Sequence, residues 1–176
     1  MKLAIGGKEF TQPLTVRKDP HSGGTEADIQ AQTEVLTDLR TGMNTAVDAV
    51  NQLEYVRAQV QTIMRSTPEG ELRRAASELN DKLTDLEMNL YELRLTGGQD
   101  GVRYAAKLLP RFNFLANGMS SSDFRPTDQH VEVAKLLQDR LKGHLSEIGA
   151  AMEKDVATFN DMLRRQQAGQ VVTKTP

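Results

Sequence analysis

Few residues in this chain have the chemistry of an active site. Its three histidines are His21, His130 and His144, and it has no cysteine, which excludes disulfides, thiolate metal sites and cysteine nucleophiles. His144 and Glu147 stand three apart, in the reverse of the Glu-x-x-His order that di-metal helical bundles repeat on two helices. His130 and His144, if on one helix, lie about 21 Å apart at 1.5 Å per residue and cannot share an ion. His21 falls among turn-forming residues. All three read as solvent-facing side chains, and no metal ligand is assigned.

Two other stretches invite chemistry and lose it on inspection. Gly97-Gly98-Gln99-Asp100-Gly101 resembles a phosphate cradle ahead of a helix. It follows a predicted helix rather than a strand, lacks the Gly-Lys-Ser/Thr ending and carries an acid that would repel the anion; a glycine-rich stop between helices is the simpler reading. Ser120-Ser121-Ser122 has no histidine at a supporting distance and reads as a solvated loop. Arg73-Arg74 and Arg164-Arg165 read as solvated faces, the second complementing a helix C-terminus. No catalytic, cofactor-binding or metal-binding residue is therefore assigned, and no cofactor is expected.

The elements that would hold such residues are helical. With 176 residues, 38% hydrophobic and only 5% aromatic, the core must be aliphatic. A net charge of −2 gives no long-range attraction to nucleic acid or anionic lipid. No window approaches the roughly 20 apolar residues of a membrane-spanning helix. Leu3-Ala4-Ile5 is interrupted by Gly6-Gly7-Lys8-Glu9, so no signal peptide is expected here.

Residues 2–5 and 9–16 flank a glycine turn and read as two short strands. An isolated hairpin is marginal in water, so it either docks on the rest of the chain or is the last hairpin of a preceding β-domain, the second being the preferred reading. Asp19-Pro20-His21-Ser22-Gly23-Gly24 is a linker. Thr25 with Asp28 forms a capping box that opens a helix of about 40 residues, its apolar positions running from Ile29 to Ile63. Thr67-Pro68-Glu69 is expected to open helix 2, whose Leu72, Ala76, Leu79, Leu83, Leu86, Leu90 and Leu93 alternate steps of four and three, ending at Thr96-Gly97-Gly98. Helix 3 is placed at about residues 101–117 with Val102 and Ala105 on its apolar side and a kink near Pro110. Helix 4 starts near Thr127 and runs about 40 residues, with Val131 among its inward positions.

The predicted fold is all-α, an elongated up-down-up-down four-helix bundle with helix 3 short and kinked near Pro110, behind a short N-terminal β-hairpin. The divisions are 1–18 for the hairpin, 19–24 for the linker, 25–167 for the bundle and 168–176 for a flexible tail.

Three segments carry a family resemblance in order and spacing. They are Gln12-Pro13-Leu14-Thr15-Val16-Arg17-Lys18-Asp19-Pro20, Gln99-Asp100-Gly101-Val102-Arg103-Tyr104, and Asp123-Phe124-Arg125-Pro126-Thr127-Asp128-Gln129. From about residue 5 to residue 165 the chain resembles the C-terminal region of large bacterial proteins described as sortilin-like or BNR-repeat glycosyl-hydrolase-like β-propellers. In those proteins the Gln-Pro-Leu-x-Val stretch resembles the closing strand of a β-sandwich. The resemblance implies a non-catalytic helical accessory or interaction module at the C-terminus of a larger exported protein, periplasmic or extracellular, whose partners are the preceding domains of its parent. It supplies no catalytic residue, and the Asp-box repeats of a propeller do not occur in this sequence. The alternative is a self-standing homodimeric coiled-coil interaction protein. Neither nucleic acid nor membrane insertion is expected.

Overall fold

The computed structural model describes residues 1–174. It is mostly helical, with 66% of the chain in helix and a short two-stranded antiparallel hairpin at the N-terminus. The hairpin pairs β1 (Lys2–Ile5) with β2 (Lys8–Thr11), Leu3 opposite Phe10 and Ala4 opposite Glu9. Gly6 and Gly7 both take positive φ, 58° and 76°, which is the backbone a two-residue turn between twisted strands requires. Strand β2 stops at Thr11, short of the expected residue 16; Met1 and Gln12 exchange one last pair of backbone bonds, at 2.8 and 3.0 Å, and residues 13–19 continue without regular structure.

Helix α1 (Glu26–Ser66) starts where the sequence placed it. Thr25 accepts from the Asp28 amide while the Asp28 carboxylate accepts from the Thr25 amide at 3.0 Å. At the other end Thr67 caps α1 by donating its N–H to the Ile63 carbonyl, and the first bond of the next helix runs from the Arg74 amide to the Gly70 carbonyl at 3.1 Å instead of to Thr67. Pro68–Gly70 form the turn, and α2 (Glu71–Leu90) begins behind Gly70 instead of Thr67. Leu72, Ala76, Leu79, Leu83 and Leu90 are buried in its seam.

Helix α2 ends at Leu90, well before the expected glycine stop. Beyond it lie a four-residue helical turn, α3 (Asp100–Arg103), and then α4 (Leu108–Met119). Pro110 is the third residue of α4, inside the first turn where its missing N–H has no intrahelical partner to lose. The break expected at Pro110 falls instead at Tyr104–Lys107. Val102 and Ala105, expected to face inward, are exposed. Helix α5 (Asp128–Ala150) follows, capped by Thr127, and passes through a π-helical turn at Ala151–Asp155 into α6 (Val156–Arg165). Val131 points outward; Ala134, Leu137, Leu141 and Ile148 form the buried line.

Side-chain meetings set the directions of these rods. Gln61 donates to Asn80 at 3.0 Å and Arg57 pairs with Glu87, so α2 descends along the second half of α1. Gln32 donates to the Met119 carbonyl at 2.7 Å and Phe112 lies at Gly42, so α4 descends along the first half. Gln138 donates to the Asp38 carbonyl at 2.8 Å, and Thr41 and Thr45 share a shallow groove with Leu141 and Leu145. Helix α5 is therefore parallel to α1.

The expected up-down-up-down order is thereby corrected: α2 and α4 both run opposite to α1, and α5 with α6 runs alongside it. The reason is the segment between Leu90 and Leu108. The apolar periodicity divides it between two helices; in the structure it is largely irregular, and the chain re-enters α4 in the direction in which it left α2. One core runs through these contacts, from Leu39, Leu53, Val56 and Val60 on α1 to Leu83 on α2, Phe112 on α4 and Phe159 and Leu163 on α6.

Candidate functional site: a cleft filled by the tail

The histidines at 130 and 144, the glycine-rich turn and the serine run make local contacts within their own segments. His130 Nδ1 lies 3.3 Å from the Thr127 amide, completing a capping box in which histidine stands where glutamate is usual. His144 Nδ1 sits 3.4 Å from Glu147 Oε2 on the exposed side of α5. In the glycine-rich turn the Asp100 carboxylate accepts the amides of Thr96 at 2.8 Å and Gly97 at 2.7 Å, the donors a phosphate would need. Those amides hold its carboxyl below the ordinary value. Ser120 and Ser121 donate to the carbonyls of Asn117 and Gly118. Among the described residues no group of three or more Asp, Glu or His is placed to hold a metal ion.

Two buried carboxylates lie outside anything read from the sequence. Glu87, wholly withdrawn from solvent, pairs with Arg57, and burial raises its carboxyl above the ordinary value against the opposing pull of that guanidinium. Glu92 is 1% exposed and grips Arg94 through both oxygens, at 2.6 and 2.8 Å, with Lys107 3.9 Å away. The Arg94 bond holds Glu92 down to about 2, and the Arg94 guanidinium in turn lies 4.2 Å over the Tyr104 ring. This knot fastens the irregular segment after α2. Both carboxylates are bound to basic side chains, Glu92 held low by Arg94 and Glu87 raised by its burial.

Between α1 and α6 a cleft holds an extended segment of the chain's own backbone. The sequence predicts a flexible tail over 168–176; of these, 171–173 lie docked there, and 175–176 lie outside the described residues. Asn160 of α6 takes both backbone groups of Val171, accepting its N–H at 2.7 Å and donating to its carbonyl at 3.0 Å. Gln59 of α1 does the same for Val172, both at 2.9 Å. Gln52, one heptad earlier, donates to the Thr173 carbonyl at 2.9 Å. Val171 is 2% exposed and joins the core, whereas Val172 is 43% exposed. The sequence held one signal for this, polar Gln52 and Gln59 seven apart beside buried Leu53, Val56 and Val60, and it passes unnoticed without knowing that a strand would lie there.

The chain matches no protein-family model, no curated protein and no solved structure.

Proposed function

We propose that this chain is a non-catalytic helical accessory module of a larger exported protein of the sortilin-like or BNR-repeat type, placed in the periplasm or outside the cell. In this reading it is a bundle of long rods, α1 against α2 and α4 and against α5 with α6, that spaces or joins the parent's domains. The observation that carries it is the hairpin. Leu3, Ile5 and Phe10 share one face and are 53%, 62% and 56% exposed, while Lys2 and Glu9 pair at 2.7 Å on the other. A two-stranded sheet with a bare apolar face is marginal alone and gains stability when a further strand or sheet covers it. A preceding β-domain, as the resemblance implies, supplies that cover. The alternative, a self-standing homodimer, draws less support, because the leucines that would form its seam are buried within the chain itself.

The test is the intact mass of the protein purified from its natural source. The reading expects a polypeptide far larger than 19.5 kDa, containing these 176 residues at its C-terminal end. A native chain of 19.5 kDa would overturn it.

A further inference from the structure

We propose that the cleft between α1 and α6 is a receptor for extended peptide backbone, filled in cis by residues 171–173, and that an extended segment of a partner protein with a β-branched residue in the place of Val171 takes the same seat. This inference stands whether or not the chain has the parentage proposed above.

The argument rests on which groups are recognised. Asn160 and Gln59 each pair with the N–H and the carbonyl of a single residue, as a neighbouring strand does, and Gln52 adds a third carbonyl contact. Side-chain amides used in this way read peptide backbone and are indifferent to sequence; such main-chain pairing supplies affinity in strand-addition complexes, and pockets supply specificity. Here the pocket is the hole that Val171 fills. Its neighbours Gln170 and Val172 are exposed and make no demand on side-chain type. The cleft therefore selects one apolar anchor on an extended strand.

The tail is also built to leave. Helix α6 ends at Arg165 and residues 166–168 cap it, the Ala168 amide donating to the Leu163 carbonyl at 2.9 Å and Gln167 taking a left-handed φ of 52°. Gly169 and the exposed Gln170 then join this cap to the docked residues, and rotation at that two-residue link leaves α6 intact. A tether of this kind holds its own segment at an effective concentration of about 1 mM, so a partner's segment competes by mass action and needs no new contact to displace it.

Because the chain has no cysteine, Lys174→Cys gives a unique site for a nitroxide label on the full-length protein. The label should be immobilised at rest. Millimolar amounts of the acetylated peptide Gly-Gln-Val-Val-Thr-Lys should set it free, and the same peptide with aspartate at the Val171 position should not. In a second variant, Val171→Asp in the full chain should empty the cleft and bind the unmodified peptide about tenfold or more tightly than the parent does, and adding Asn160→Ala should abolish that gain. A label that is mobile from the start, or that stays immobile at about 10 mM peptide, or that responds equally to the aspartate peptide, overturns the proposal. Should Val171→Asp lose its helical circular dichroism, the competition on the parent chain decides alone. Sedimentation of the labelled chain completes the test: a dimer with exchanged tails would give the seat to a second copy and contradict a partner's segment.

Discussion

The guanidinium of Arg57 on α1 meets the carboxylate of Glu87 on α2 inside the helix interface, with Glu87 wholly buried and Arg57 largely so. Glu87 Oε1 and Arg57 Nε find no hydrogen-bond partner among the described residues. Such a pair is costly to break and cheap to replace. Arg57→Met should destabilise the fold by about 3–5 kcal/mol, while Arg57→Met with Glu87→Leu should return it to near the parent value. Urea unfolding of the two variants and the parent checks both.

The pH dependence of that pair has a definite sign. Desolvation raises the Glu87 carboxyl in the folded chain, with the nearby Glu54 carboxylate adding to it and Arg57 opposing. A raised carboxyl means the folded state holds its proton longer than the unfolded chain, so this contribution is fully present below the ordinary value of 4.5 and is lost as pH rises through the folded value. Relative to Glu87→Gln, the parent should lose stability as urea titrations move from pH 4 to pH 7.

Glu92 works in the opposite direction. Its folded carboxyl is held at about 2 by Arg94, so its contribution is present above 4.5 and is lost as pH falls towards 2. Glu92→Gln should flatten the acid limb of the stability curve between those values, and the fluorescence of Tyr104, under the Arg94 guanidinium, should change with it.

Two glycines in helices should respond oppositely to alanine. A Cβ on Gly42 would stand 2.9 Å from the Phe112 ring and 2.8 Å from Gln138 Nε2, whereas a Cβ on Gly143 meets nothing within 4 Å. Gly143→Ala should stabilise by up to about 1 kcal/mol through helix propensity. At Gly42 the same gain is set against an overpacking cost of about 1–3 kcal/mol, and the net should be destabilising. Thermal melts of the two variants decide the sign.

Leu83→Ala should cost about 2–5 kcal/mol, because the residue is fully buried where α2 faces the core. Its neighbour Lys82 is about half exposed and pairs with Asp155 at 2.6 Å, so Lys82→Ala should cost no more than about 1 kcal/mol. Similar losses at the two sites would place the seam at the surface.

What was legible in the sequence was local. Thr25 with Asp28, Thr127 at the start of α5 and the leucine seam of α2 each follow from caps and periodicity that need no knowledge of the rest of the chain. What escaped was tertiary. Leu93 keeps the heptad step, so the pattern gave no sign that the helix stops at Leu90, where Glu92 turns to Arg94 instead. From that miss came the wrong directions of the later helices, since a glycine stop between two helices implies a reversal there, whereas the irregular stretch from Tyr91 to Lys107 returns the chain to the direction of α2. The π-helical turn at Ala151–Asp155 has no proline or glycine to announce it. Buried Gln32 reads as an ordinary polar residue until the Met119 and Phe124 carbonyls, nearly ninety residues away, are seen against it. Gly24 likewise shows its necessity only when the Asp123 carbonyl is found where a Cβ would stand.

Amide hydrogen exchange on the isolated chain tests the central claim most directly, because it asks whether the hairpin lacks the partner this account assigns to it. Protection should be strong along α1, α2 and α5, and residues 2–11 should exchange at rates close to those of an unstructured peptide. Protection of Leu3 and Phe10 comparable to that of the Leu83 or Leu141 amides would mean the apolar face of the hairpin is already covered within the chain, and the account of an accessory module awaiting a β-domain would be contradicted.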